Sequence, residues 1–242
     1  MSESARRTAV VIGAGPGLGM SVAHRFGREG YAVALISRNA DRHAGYLASL
    51  RAAGVEASAH AADVRADGAL VAALDAVEAR HGRIDLMYYG AAAVDLGHPP
   101  VPITETDAAA IKTAMGEVYP AVDAARRVLP GMLARGSGGL LFAGGASAIT
   151  PMPMLGSLAV TSAALRNYAV TLHAALAARG VYAGTLTIGG LIERGDIHAY
   201  VRSRPEQFGA ATGTLDPDEI AEAAWRLYAD RDRAEAVFSA LP

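Results

Sequence analysis

The sequence predicts an α/β fold: a doubly wound parallel sheet of about seven strands with helices on both faces. Three observations predict it. Apolar runs of strand length alternate with segments of helical spacing along all 242 residues. The runs are nearly continuous in Val, Ile, Leu and Ala, as strands covered on both faces require. No linker, internal repeat or low-complexity segment interrupts the alternation, so residues 1–242 read as a single domain.

The first strand spans about 8–12 and ends in Gly13-Ala14-Gly15-Pro16-Gly17-Leu18-Gly19. Leu18, Val22 and Phe26 then share one face of a helix that reaches about residue 29. A strand, a glycine turn and a helix in that order form a phosphate cradle. The glycines let the backbone turn tightly and approach a pyrophosphate, and the helix N-terminus offers N–H groups and a positive dipole end. Strand two covers about 31–36, followed by a helix over 41–53. Strand three covers 55–60, and the next helix, 67–81, places Leu70, Leu74 and Val77 on one face. Strand four covers 84–89, ahead of a loop containing Pro99, Pro100 and Pro102. A long helix over 107–134 is expected to kink or break at Pro120 and Pro130. Strand five covers 139–142, a second long helix 158–178, and strand six 182–188. A longer irregular section, about 189–215, reads as a substrate lid from about 190. Asp216-Pro217-Asp218-Glu219 reads as a helix start, with Asp at the N-cap and Pro in the first turn. That helix ends near residue 230, and Ala236-Val237-Phe238 forms the seventh strand. In such a sheet the ligand lies at the carboxyl ends of the strands.

Composition narrows the function. A chain 52% hydrophobic and 19% charged supports a sizeable core. A net charge of −2 with no run of Lys or Arg gives no nucleic-acid surface. The absence of cysteine excludes disulfides and thiol chemistry. The first seven residues lack the apolar core of a signal peptide, and no apolar run reaches the roughly 20 residues that span a bilayer. A cytoplasmic protein without membrane partners is expected. The seven histidines are scattered without metal-ligand spacing, so no metal is expected. No Gly-x-Ser-x-Gly elbow for acyl transfer occurs.

The Gly-x-x-x-Gly-x-Gly pattern at Gly13, Gly17 and Gly19, with the chain length and element order, resembles the short-chain dehydrogenase/reductase family. The resemblance covers nearly the whole chain. It implies a Rossmann fold that binds NAD(H) or NADP(H), acts on a small-molecule substrate, and assembles through the two long helices as a homodimer or homotetramer. It implies that Gly13, Gly15, Gly17, Leu18 and Gly19 surround the cofactor. Strand two ends in Ser37-Arg38, where an acidic residue would grip the ribose hydroxyls of NAD. A guanidinium there suits a 2′-phosphate, so NADP(H) is the expected cofactor; the alternative is a solvated surface Arg. Asp63-Val64 is similar to the family's adenine-contacting pair, and a turn-capping Asp is the alternative. Tyr89-Gly90-Ala91-Ala92 stands where the family has Asn-Asn-Ala-Gly, which places Gly90 and Ala91 beside the cofactor. Ile192, after Gly189-Gly190-Leu191, matches the position whose backbone holds the nicotinamide carboxamide.

The family's catalytic Tyr-x-x-x-Lys falls on Leu158 and Ser162, and the chain's one lysine is Lys112. Leu transfers no proton, and neutral Ser supplies no charge to perturb a phenol. Three residues stand as replacements. Ser147 is the hydroxyl nearest the position of the family's Ser, with loop capping as its alternative role. Glu117 takes the place of the helix Asn and would act as general acid or base if burial raises its pKa, its alternative being a solvated helix Glu. Tyr89 offers a phenol at a strand's carboxyl end, or else is a buried structural Tyr; of Tyr88 and Tyr89 one is expected to face the site. Arg194, His198, Arg202 and Arg204 would close over an anionic substrate or form a solvated helix face. Tyr168 and His173 are expected to pack at a subunit interface. The function expected is an atypical NADP(H)-dependent oxidoreductase of a small carbonyl, imine or enone, using a non-standard proton donor. The alternatives are a non-redox isomerase, dehydratase or cyclase, and a catalytically silent NADP(H)-binding protein.

Overall fold

The computed structural model describes residues 6–91, 100–208 and 213–240. Its main sheet has seven parallel strands in the order β3-β2-β1-β4-β5-β6-β9. These are β1 (Thr8–Ile12), β2 (Ala32–Ser37), β3 (Ala57–Ala61), β4 (Leu86–Tyr89), β5 (Gly138–Gly145), β6 (Val181–Gly189) and β9 (Glu235–Ser239). The order reverses between β1 and β4, and the carboxyl ends of these strands flank the crevice where such sheets bind ligands.

Helices α1 (Leu18–Arg28), α2 (His43–Ala52), α3 (Ala69–His81), α4 (Ala108–Met115), α5 (Tyr119–Arg135), α6 (Gly156–Leu176) and α9 (Pro217–Asp230) surround it. Strand alternation divides the core between the two faces. Val10 and Ile12 pack with residues of α3, α5 and α6, whereas Ala9 and Val11 pack with α1 and α9. Every β1 side chain is buried, which explains why the run reads as continuously apolar. On the second face Phe26, Trp225, Tyr31 and Tyr228 meet mostly edge to face. An ion pair of 2.6 Å between Arg25 and Glu222 adds a polar fastening of α1 to α9.

The structure adds to the sequence expectation in three places. The expected helix over 107–134 breaks at Pro120, as its sequence position predicts, into α4 and α5. Pro120 cannot donate to the carbonyl four residues earlier, that of Gly116, and its ring crowds it, so the first helix stops there. Pro120 then sits in the first turn of α5, where its missing N–H has no helical partner to lose. Pro130, by contrast, remains inside α5 on its exposed side. Strand β5 continues to Gly145, because its glycines pair with Thr187 and Ile188 of β6. Tyr168 and His173, expected at a subunit interface, also have partners within the chain. Tyr168 meets Phe142 edge-on at 5.8 Å, and His173 Nδ1 lies 2.8 Å from the Ala183 carbonyl oxygen.

The section after β6 carries a small sheet of its own. β7 (Leu191–Ile192) pairs in parallel with β8 (Thr214–Leu215), and α7 (Asp196–Arg202) and α8 (Pro205–Phe208) lie between them. Asp216 caps α9 as its sequence position predicts, accepting from the Asp218 N–H at 2.8 Å.

Candidate functional site

The glycine turn is built to leave backbone exposed at one place and to pack backbone against backbone elsewhere. A Cβ at Gly13 would lie 2.5 Å from the Gly90 carbonyl, and one at Gly19 would lie 2.7 Å from the Gly13 oxygen. These two glycines bring β1, β4 and the start of α1 into contact. The N–H groups of Gly13 and Ala14 are spent on the Ile36 carbonyl, at 2.9 and 3.0 Å. At Gly15 the nearest atom to an added Cβ is 4.0 Å away, so its face is open. Helix α1 begins with Leu18, has no side-chain cap and carries no acidic residue in its first turn. An open glycine ahead of an uncapped helix N-terminus fits a pyrophosphate.

Beside it, at the end of β2, Ser37 Oγ lies 3.1 Å from the Asn39 carbonyl oxygen and 2.8 Å from His43 Nε2. Arg38 is exposed. No carboxylate stands at the tip of β2, and none lies in the first turn of α2. Asp63 follows β3, and its Oδ1 accepts from the Arg65 N–H at 3.0 Å and from Arg65 Nε at 3.5 Å. The backbone bond from Arg65 is the main reason its carboxyl sits below the ordinary range, with the Arg65 and Arg38 charges adding to it. Asp63 thus caps its own turn. Val64 and Ala91 pack at the edge of the core shared by α3, α5 and α6. The Gly90 N–H donates to the Ile12 carbonyl at 2.9 Å. Ala92, the last residue of the β4 motif, lies outside the described residues. Ile192 lies in β7, half-buried against the α1 and α9 side of the core.

Of the three residues expected to carry chemistry, Tyr89 and Glu117 meet. Tyr89 is 1% exposed, and its hydroxyl donates to the Glu117 backbone carbonyl at 3.0 Å. Burial drives its pKa up, out of reach of neutral pH. Tyr88 is buried in the opposite layer, and its hydroxyl lies against Gly90. The Glu117 carboxyl is raised by burial, opposed by the Arg65 charge and helped by Asp63. Its Oε1 lies 4.0 Å from Arg65 Nε, so it faces the residues after β3. Ser147 is half-buried in the turn after β5.

The structure gives Ser147 a neighbour that sequence reasoning passed over. A Cβ at Gly145 would meet Ser162 Oγ at 3.2 Å and Ser147 Oγ at 3.4 Å. Two hydroxyls therefore flank one bare glycine at the carboxyl end of β5. Both can donate to an oxygen, and neither titrates near neutral pH.

The section around β7 lies over the glycine turn. A Cβ at Gly17 would meet the Glu193 carbonyl oxygen at 3.0 Å. Arg194, in the left-handed region at φ 64°, reaches Asp218 at 2.8 Å and Asp216 at 3.4 Å. Arg42 places Nη1 2.8 Å from both carboxylate oxygens of Asp196. Arg204 is drawn back over the Tyr200 ring at 3.8 Å. Among the described residues no group of three or more His, Asp or Glu could hold a metal ion, and no helix is long and apolar enough to cross a membrane.

A family model described as short chain dehydrogenase matches residues 7–198. A short chain dehydrogenase of Pseudocercospora fijiensis (strain CIRAD86) is 29% identical over 187 residues, covering 76% of this chain and 60% of its own length. An A-factor type gamma-butyrolactone 1′-reductase (1S-forming) of Streptomyces virginiae is 29% identical over 244 residues, covering 93% of this chain and 89% of its own. The fold is also that of an actinorhodin polyketide ketoreductase crystallised with NADPH. That structure superposes with a TM-score of 0.81 at 23% identity, over 96% of this chain and 95% of that one.

Proposed function

The chain belongs to the short-chain dehydrogenase family, and from that premise we propose that it is an NADP(H)-dependent oxidoreductase acting on a small carbonyl, imine or enone through an atypical active site. The observation that carries this reading is the two-hydroxyl site at Gly145, at the carboxyl end of the same sheet whose first strand leads into an open glycine turn. NADPH, when bound, supplies a hydride. Gly15 and the start of α1 would hold its pyrophosphate, and Ser37 with Arg38 its 2′-phosphate. Absence of an acidic residue at the tip of β2 supports NADP(H) over NAD(H).

Ser147 and Ser162 would donate hydrogen bonds to the substrate oxygen and orient it. Hydroxyls of ordinary acidity polarise an oxygen but do not deliver a full proton at neutral pH, so the proton that balances the hydride comes from water. That division of labour suits an acceptor already activated, such as an enone, whose enolate takes the proton from water; an iminium would need the hydride alone. Positioning then supplies much of the rate.

The test is label transfer. NADPH deuterated at the transferred position is incubated with the protein and a panel of ketones, imines and enones. Deuterium in a product is the expected result, and Ser147→Ala should lower that rate by about 100-fold while leaving NADPH binding in place. Tight NADPH binding with no deuterium in any product would overturn the redox reading in favour of a silent binding protein. Turnover of an acceptor without NADPH consumption would point instead to an isomerase or dehydratase.

A further inference from the structure

We propose that His43 is a positioning residue that sets the Ser37 hydroxyl for the 2′-phosphate of NADP(H), and so helps select NADP(H) over NAD(H). The inference rests on the NADP(H) reading above and concerns a residue outside the glycine turn and outside the Ser37-Arg38 pair.

His43 is the first residue of α2, and it is 8% exposed. A buried imidazole needs a partner for its polar atoms, and here Nε2 finds Ser37 Oγ at 2.8 Å. The hydroxyl has one proton. The Asn39 carbonyl, 3.1 Å away, accepts only, so that proton goes to Asn39 and Nε2–H donates to Ser37. His43 therefore fixes the Ser37 oxygen at the tip of β2 while leaving the direction of its O–H adjustable. When a phosphate oxygen arrives, the O–H turns from a neutral carbonyl to an anion, which is the stronger acceptor. The Nε2–H donation persists and holds the oxygen in place.

The neighbouring cations explain why such a device matters. Arg42, next in sequence to His43, faces both oxygens of Asp196 in this structure. Recognition at the end of β2 is left to Arg38, exposed on a flexible stem, and to Ser37, which His43 makes rigid. With NAD(H) the same place meets a neutral 2′-hydroxyl, where a charge-assisted bond is not available. Loss of His43 therefore falls on NADPH far more than on NADH.

The experiment is isothermal titration calorimetry of the full chain with NADPH and with NADH. The proteins are the wild type, His43→Ala, His43→Gln, Ser37→Ala and the His43→Ala/Ser37→Ala pair. His43→Ala should weaken NADPH by about tenfold and change NADH by less than about twofold. His43→Gln, whose amide N–H reaches where Nε2 was, should restore NADPH binding to within about threefold of wild type. In the Ser37→Ala background His43→Ala should add no further loss, because the interaction it supports is gone. If His43→Ala does not fold, His43→Met keeps the buried volume without the donor and must show the same selective loss. Equal losses for the two dinucleotides, no loss for either, or additive losses in the double variant overturn the role of His43. Wild type that prefers NADPH with unaffected His43 variants overturns this inference alone; wild type with no preference for NADPH overturns the cofactor reading as well.

Discussion

At Gly13 an added methyl would press into the Gly90 carbonyl 2.5 Å away, and the backbone φ of 89° is one that L side chains rarely adopt. At Gly15 the same methyl would find its nearest neighbour at 4.0 Å and no strained φ. One glycine is required by the fold and the other is open to what the fold binds. Gly13→Ala should accordingly lose about 3 kcal/mol of stability, since the atoms it meets are backbone and cannot swing aside. Gly15→Ala should stay within about 0.5 kcal/mol of wild type yet lose most of its NADPH affinity. Urea denaturation and calorimetry on the two variants check this. Equal destabilisation would show that Gly15 is also structural, and retained affinity in Gly15→Ala would move the pyrophosphate elsewhere.

Among the elements, the break between α4 and α5 decides what Glu117 can do. Pro120 marks that break in the sequence, and the cap at Asp216 and the seven strands are equally legible, because each depends on neighbours in the chain. The direction of the Glu117 side chain is not legible, since it is set by where Tyr89 of β4 holds the Glu117 carbonyl, at 3.0 Å. The Ser147–Ser162 pair is hidden for a similar reason. The two lie on either side of the loop between β5 and α6, and only folding brings both hydroxyls to Gly145. The glycine turn was readable because its chemistry is contiguous. Burial raises the Glu117 carboxyl above its unfolded value, so the folded chain holds that proton more tightly. The resulting stability is full below the unfolded pKa and is lost as pH rises through the folded one. Glu117→Gln, neutral throughout, should therefore gain stability relative to wild type between about pH 4 and about pH 7. Urea midpoints of both proteins at the two pH values measure it. A difference that does not change with pH would mean that Arg65 compensates the buried charge fully.

Across the whole molecule, the section around β7 and α7 joins the two ends of the crevice. Arg42 comes from the edge of the sheet near β2, and Asp196 opens α7 after β6, 154 residues away in sequence. Their ion pair spans from the β2 tip to the segment that lies over the glycine turn. Both side chains are about half exposed, at 53% and 55%, so the pair is worth no more than about 1 kcal/mol and opens readily. A contact of that strength does little for global stability, and on the proposed cofactor placement it would slow the release of a dinucleotide from beneath it. Asp196→Asn should speed NADPH dissociation by about two- to fivefold, followed by stopped-flow fluorescence, with the melting temperature nearly unchanged. Salt at about 0.5 M should produce the same acceleration in wild type, because exposed charges are screened at that ionic strength, and should add little in the variant. Dissociation that ignores both the substitution and the salt would mean that the segment is held by Arg194, through Asp216 and Asp218, and that the Arg42 pair follows rather than restrains it.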